Sequence, residues 1–296
     1  MIRVATRQSP LARWQAERVV ELLGARGGGE AELMLVETTG DRRTDVPLHA
    51  IGGTGVFVKE VQEAVLSGRA DVAVHSAKDL PALTPEGLVL AAIPERGDAR
   101  DALVGSTLDA LPAGAMVATG SVRRRAQLAA RRPDLGFAEL RGNMHTRLEK
   151  AAQFDAIVVA AAGLDRLDLS HRIAERLDPL VMLPQVAQGA LAVECRADDA
   201  ETLALLGTID DPSVGLPVAA ERAFLAALGG GCSLPCGALG TRNGDEVVLE
   251  VLLASLDGRR VLRACDSDDD PVQLGSRLAA RLLDDLGGRE LIGVLR

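Results

Sequence analysis

The stretch Met116-Val117-Ala118-Thr119-Gly120-Ser121-Val122-Arg123-Arg124-Arg125 reads as a short apolar strand, a tight turn and the start of a helix. Ser121 stands at the N-cap, where a hydroxyl accepts a hydrogen bond from a free helical N–H. A strand that passes directly into a helix is the repeating unit of a sheet covered by helices. Residues 136–140 form the next strand, Asn143 caps a helix through 152, and 155–161 form a buried-looking strand.

The same grammar extends in both directions. Upstream, strands are expected over 2–5, 31–37, 71–75 and 88–93, with a helix over 56–66. Ser9 and Pro10 supply an N-cap and an N1 proline for a helix through about residue 25. Downstream of Pro184, 191–195 reads as a strand and 199–206 as a helix. A third unit opens with a helix over 211–228, followed by strands over 238–241, 247–254 and 260–265 and a helix over 272–286. Ser255-Leu256-Asp257-Gly258 is its hairpin turn. The fold class expected is α/β, with mixed sheets in the first two units and a small α/β domain as the third.

The composition is that of a globular chain. Hydrophobic residues make up 47% and charged residues 25% of 296 residues, and aromatics only 2%, so the cores must be built from Ala, Val and Leu. No run of 18 apolar residues occurs, and residues 1–5 enter a strand without a basic or apolar leader. Neither a membrane span nor secretion is therefore expected. Four cysteines (195, 232, 236, 265) are no disulfide framework, and a reducing cytoplasm fits them best. The net charge of −9 argues against nucleic acid as a partner.

Arginine is nevertheless concentrated. Between 123 and 147 there are seven, against Asp134 and Glu139. Three strand-to-helix turns carry them or their like: Thr6-Arg7-Gln8-Ser9-Pro10, Thr119 to Arg124, and Arg141-Gly142-Asn143-Met144-His145-Thr146-Arg147. Helix N-termini attract anions, and arginine adds a planar two-pronged donor. Such turns are where open α/β sheets bind ligands, so the expected ligand is a polyanion gripped between two domains.

Two further stretches bear on chemistry. His75-Ser76-Ala77-Lys78-Asp79-Leu80-Pro81 follows a strand, placing Asp79 as a candidate acid, base or counter-charge beside Lys78. His75 alone reads as a structural histidine. In Leu228-Gly229-Gly230-Gly231-Cys232-Ser233, three glycines before a thiol make little sense as packing. Cys232 is a nucleophile, a metal ligand or the anchor of a carried group. The four histidines show no clustered spacing, so no metal site is expected.

In order along the chain, residues 5–12, 57–60, 74–81, 121–124 and 140–143, Gly189-Ala190 with Glu194-Cys195-Arg196, and Gly230-Gly231-Cys232 resemble the porphobilinogen deaminase (hydroxymethylbilane synthase) family. The resemblance implies three domains: 1–95 with 188–208, then 99–184, then 212–296. The first two are similar to the lobes of periplasmic solute-binding proteins. It implies a monomeric cytoplasmic transferase of tetrapyrrole and heme biosynthesis that joins four porphobilinogen units head to tail with loss of ammonia. It further implies a dipyrromethane cofactor, built from two substrate units and held by Cys232 through a thioether. Asp79 is then the catalytic carboxylate. Lys78, Asp79, Thr119, Ser121, Arg123, Arg124, Arg141 and Gly142 would bind the cofactor, and Arg7, Ser9, Arg141, Arg147, Arg166 and Gln188 the substrate. Three positions depart from the family's pattern. Thr54 stands where lysine is usual, a loss Lys59 could make good, Met144-His145 are atypical, and Cys236 replaces an aliphatic residue as a possible second thiol.

Two other readings remain beside it. A two-lobed binding protein for a small anion explains the arginine turns but not Cys232. A cysteine-nucleophile transferase explains Cys232 but offers no base near it in sequence.

Overall fold

The computed structural model describes residues 1–27, 29–42, 55, 57–230 and 234–293. Cys232, Thr54 and His49 lie outside them. The chain forms two compact units, Met1–Gly97 with Gly189–Gly215, and Asp98–Gln188 with Leu216–Arg296. Elements are numbered along the chain.

The first unit holds β1 (Ile2–Arg7), α1 (Pro10–Ala25), β2 (Ala31–Val36), α2 (Thr39–Arg42), α3 (Lys59–Leu66), β3 (Val72–Ser76) and β4 (Leu88–Ala92). After the chain's return come β10 (Leu191–Arg196) and α7 (Ala200–Gly207). Its sheet has the order β2-β1-β3-β10-β4. β1 runs parallel to β2 and β3, while β10 is antiparallel to β3 and β4. Ser9 caps α1 as expected, its Oγ accepting from the Ala12 N–H at 3.3 Å. The inward face of α1 carries Ala12, Gln15, Ala16, Val19 and Leu23, at the three-to-four residue spacing of a helix stripe. α3 starts at Lys59, later than the expected 56. Gly55, at φ +84, opens a turn whose carbonyl accepts from both Val58 and Lys59.

The second unit holds β5 (Asp101–Val104), β6 (Met116–Ala118), α4 (Val122–Arg131), β7 (Gly136–Ala138), α5 (Met144–Lys150), β8 (Ala156–Ala160), α6 (Ala161–Asp165) and β9 (Glu175–Arg176). The sheet order is β7-β6-β8-β5-β9, with β7, β6 and β8 parallel and β5 reversed. The strands β5 and β9 and the helix α6 were not expected from sequence. At four, two and five residues they are too short for a periodic signal.

From Leu216 on, this unit also contains most of α8 (Pro212–Ala227), then β11 (Cys236–Asn243), β12 (Glu246–Ala254), β13 (Val261–Asp268), α9 (Pro271–Ala280) and α10 (Gly288–Gly293). β11, β12 and β13 form an antiparallel meander. Ser255 N–H bonds the Arg260 carbonyl at 2.9 Å and closes the expected hairpin. The chain is thus α/β, with two mixed five-stranded sheets and a small third sheet.

The cores are aliphatic, as the scarcity of aromatics requires. Val4, Val19, Leu23, Val72, Leu191 and Val193 pack together in the first unit, and Leu103, Val117, Leu128, Val158 and Leu177 in the second. Each such fully buried side chain contributes about 1.5–3 kcal/mol.

Candidate active site

In the first unit two of the singled-out stretches leave the sheet at one edge. β1 and β3 are parallel neighbours, so Arg7 to Ser9 and Ser76 to Asp79 emerge side by side. Thr6 is fully buried and its Oγ1 donates to the Ala12 carbonyl at 3.1 Å, fixing the turn. The Arg7 guanidinium lies over the Phe57 ring, 4.3 Å from its centroid, a cation–π contact that orients the side chain. Ser76, ending β3, pairs with Gln15 of α1 at 2.8 Å and ties the two turns together. Ala77 to Asp79 form one turn of 3₁₀ helix, and Lys78 and Asp79 are both half-buried.

His75 lies beneath that turn as a structural residue. Its Nε2 is 3.2 Å from Glu194 Oε2, off the line of a formal hydrogen bond, and both side chains are almost wholly buried. Gln62 completes the cluster, donating to the same carboxylate at 2.9 Å.

In the second unit, the C-terminal edge of three adjacent parallel strands gathers most of the remaining candidates. Thr119 to Arg124 follow β6, Arg141 and Gly142 follow β7, and Arg166 follows β8 and α6. The turns interlock: a Cβ on Gly120 would lie 2.9 Å from the Leu140 carbonyl oxygen, so only glycine lets them meet. Thr119 Oγ1 accepts from the Ser121 N–H at 3.2 Å, and Ser121 Oγ from the Arg124 N–H at 3.4 Å. Asn143 caps α5 through the Thr146 N–H, Arg147 Nε donates to the Gly142 carbonyl at 2.8 Å, and Lys150 Nζ lies 3.3 Å from the Arg141 carbonyl.

The arginine run divides by role. Arg125 and Arg131 are exposed, and Arg132 is held by Asp134 and by the carbonyls of Leu108 and Leu111. Arg123 and Arg124 are buried on the inward face of α4. Between them lies Asp101, fully buried, with Oδ1 2.7 Å from Arg124 Nη2 and Oδ2 2.8 Å from Arg123 Nη1. Burial alone raises the pKa of this carboxyl, but the two guanidiniums outweigh it and hold the group well below the usual carboxylate range. Arg124 is moved the other way: burial lowers its pKa, and Asp101 partly restores it.

Gln188 is also buried. Its amide nitrogen donates to Asp101 Oδ1 at 2.9 Å and to the Ala99 carbonyl at 2.8 Å. Glu221 of α8 fixes the backbone beside it by accepting the Ala187 N–H at 2.5 Å, with Ala187 at φ +58. Asp101 was missed in the sequence. The only signal was a carboxylate heading an otherwise apolar run, Ala102-Leu103-Val104.

Three guanidinium nitrogens here are buried without a hydrogen-bond partner among the described residues: Arg123 Nε, Arg123 Nη2 and Arg141 Nη1. Burial lowers the pKa of Arg141, with Glu139 opposing. Buried N–H groups left unpaired are costly. These donors fit carboxylates, the groups a dipyrromethane bears.

Two of the glycines before Cys232, Gly229 and Gly230, have a local explanation that the sequence did not suggest. α8 ends in a Schellman motif: Gly230 N–H bonds the Leu225 carbonyl at 3.3 Å and Gly229 N–H that of Ala226 at 2.9 Å, with Gly229 at φ +64. A Cβ on Gly230 would lie 2.6 Å from Leu234 Cδ1. Helix termination accounts for Gly229 and close packing for Gly230. Cys236, the suspected second thiol, is buried at the start of β11, and Cys195 is buried in β10. No group of three or more His, Cys, Asp or Glu suited to a metal ion occurs among the described residues. No described helix is long and apolar enough to cross a membrane.

Two family models match: "Porphobilinogen deaminase, dipyromethane cofactor binding domain" over residues 2–204, and "Porphobilinogen deaminase, C-terminal domain" over 216–284. The chain belongs to the porphobilinogen deaminase family. A porphobilinogen deaminase of Roseiflexus sp. (strain RS-1) is 50% identical over 98% of this chain and 97% of its own. The porphobilinogen deaminase of Brevibacillus brevis is 46% identical over 99% and 97%. Among solved structures, a periplasmic substrate-binding protein of an ABC transporter from Coxiella burnetii is similar at 15% identity, covering 75% of this chain and 97% of that one, with a TM-score of 0.45.

Proposed function

We propose that the chain is a hydroxymethylbilane synthase. It joins four porphobilinogen molecules head to tail, releasing one ammonia for each, and water closes the sequence by freeing linear hydroxymethylbilane. The observation that carries this reading is the set of arginines at one sheet edge of the second unit, with buried donors of Arg123 and Arg141 that match carboxylates. Each porphobilinogen brings an acetate and a propionate, so a growing chain accumulates negative charge, which is tolerable away from water only when paired. Arg7, Ser9, Arg147, Arg166 and Gln188 serve the incoming substrate. Lys78, Thr119, Ser121, Arg123, Arg124, Arg141 and Gly142 hold the resident group.

That group is a dipyrromethane on the Cys232 sulfur, and it supplies the free pyrrole position at which elongation begins. Asp79 performs the charge work. When the aminomethyl C–N bond of porphobilinogen breaks, ammonia leaves with the electron pair and a cation remains on the pyrrole. A fixed carboxylate offsets that charge and accepts the pyrrole N–H bond. The new carbon–carbon bond then forms, and the α-proton it displaces needs an acceptor, for which Asp79 is the candidate. Lys78, beside it, serves as a cation for a substrate carboxylate.

We assign three domains, 1–95 with 188–208, 99–184 and 212–296, and a monomer in the cytoplasm. Incubation with porphobilinogen tests the activity directly. The expected result is about four ammonia released per linear tetrapyrrole formed, the stoichiometry of the reaction itself. Consumption of porphobilinogen without a tetrapyrrole, or no consumption, contradicts the reading.

A further inference from the structure

We propose that the hairpin between β12 and β13 is a positioning element for α4, and that Gly258 at its tip is the positioning residue. The small third sheet then does more than follow the helix that leads to Cys232: it sets where α4 presents its arginines. The reading rests on the proposed activity for what those arginines meet.

The hairpin is fixed by its own bonds. Ser255 Oγ accepts from the Arg260 N–H at 3.0 Å and donates to Asp257 Oδ1 at 2.6 Å, and the Gly258 N–H bonds the Ser255 carbonyl at 3.0 Å. Gly258 has φ +72 and is buried, although it stands at a hairpin tip. A Cβ there would run into the Ala126 carbonyl oxygen and lie 2.8 Å from the Ala130 nitrogen and 3.2 Å from Ala129 Cβ. Two of these three atoms are α4 backbone, which cannot swing aside as a side chain can. The other hairpin of the same sheet supplies the contrast. Gly244, between β11 and β12, has φ +63, and a Cβ on it would meet nothing within 4 Å. A positive φ alone explains Gly244; at Gly258 the close approach of a helix is added.

That helix is short. α4 has ten residues, about three turns, so a displacement at Ala126 to Ala130 is carried to Arg123 and Arg124 at its other end. The third sheet also reaches the same arginine by a second route. A Cβ on Gly237 of β11 would lie 2.8 Å from the carbonyl oxygens of both Leu183 and Pro184, and the Ala238 N–H bonds the Pro184 carbonyl at 3.0 Å. The Leu183 carbonyl in turn accepts from Arg123 Nη1 at 2.7 Å and from Gln127 Nε2 at 3.0 Å, and its N–H donates to Gln127 Oε1 at 2.8 Å. Between the two routes lies an apolar cluster of Ala126, Leu183, Leu252 and Ala254. Interiors packed this closely transmit a shift rather than absorb it.

The test compares full-length Gly258→Ala and Gly244→Ala proteins with wild type. Each is scored for melting temperature, for covalent adduct by denaturing mass spectrometry, and for KM and kcat with porphobilinogen per adduct-bearing chain. Both variants put a Cβ on a residue at positive φ, so both are expected to lose melting temperature. Only Gly258→Ala is expected to raise KM, about threefold or more, and to lower adduct occupancy. A Gly258→Ala protein that loses melting temperature but keeps wild-type KM and occupancy overturns the proposal, and so does an equal rise in KM in both variants.

Should Gly258→Ala fail to fold, Ala129→Val presses on the same contact from the helix side without a positive φ. The same rise in KM is expected of it, and wild-type KM and occupancy there overturn the proposal. Failure of the activity reading shows separately, as a wild-type chain that carries no adduct and consumes no porphobilinogen. The position of α4 is then read from the Arg124 Nε–H resonance, whose acceptor Asp101 belongs to the protein itself. It is expected to move in Gly258→Ala and to stay in Gly244→Ala, and an unmoved signal in both overturns the proposal.

Discussion

Arg124 Nη2 lies 2.7 Å from Asp101 Oδ1, and neither side chain is open to water. A buried pair of this kind is worth little by comparison with apolar packing, but breaking it is expensive because the surviving charge is stranded.

Acid sensitivity follows from the sign of the Asp101 shift. Burial opposes its ionisation, and Arg123 and Arg124 more than compensate, so its folded pKa lies below the unfolded one. Stability from such a group is present above the unfolded value, about 3.9, and is lost as pH falls towards the folded value. Urea melts of wild type are expected to be flat from pH 7 to 5 and to weaken below about pH 4. Asp101→Asn is expected to lose about 3–5 kcal/mol at pH 7 and to show the shallower acid limb. Equal acid limbs in the two proteins would place the sensitivity elsewhere.

Helix caps offer a separable pair. Ser121→Ala removes the Oγ that receives the Arg124 N–H at the start of α4. Asp270→Ala removes the oxygen that receives the Val272 and Gln273 N–H groups at the start of α9. Each is expected to cost about 1 kcal/mol in chemical denaturation. Only Ser121→Ala is expected to raise the KM for porphobilinogen, because α4 carries Arg123. Equal KM effects would remove the link between cap and site.

Asp79→Asn keeps the shape of the turn at the end of β3 and removes its charge. The expected outcome in steady-state kinetics is a fall in kcat of about a hundredfold or more, with a melting temperature near that of wild type. A kcat within a few-fold of wild type would make Asp79 a turn residue.

Thiol labelling should follow burial. Burial pushes the Cys195 thiol up to about 11, with Asp199 adding to the shift. Cys265, on β13, is exposed, although partial burial and then Glu250 and Asp266 raise its pKa as well. Alkylation of native protein at pH 8 followed by peptide mapping is expected to modify Cys265 slowly and leave Cys195 unmodified. Labelling of Cys195 ahead of Cys265 would contradict the packing of β10.

The parts of the fold that were legible in the sequence are those decided locally. Ser9, Ser121 and Asn143 each cap the helix they were expected to cap, because capping depends on residues two or three apart. The hairpin at 255–258 is local in the same sense. β5 was invisible because four residues carry no period, and its place beside β8 depends on pairing across more than fifty residues. Asp101 was missed for the same physical reason. Its partners Arg124 and Gln188 lie 23 and 87 residues away, and only the tertiary fold brings them within hydrogen-bond reach. The glycines before Cys232 were legible as unusual, but the Schellman geometry that uses Gly229 could be seen only with the helix in place.

The central claim is a dipyrromethane carried covalently on Cys232, and intact mass under denaturing conditions tests it most directly. The account predicts a purified chain heavier than 31.0 kDa by two linked pyrrole units, and a Cys232→Ser protein of unmodified mass without turnover. A wild-type chain of unmodified mass with full activity would contradict it.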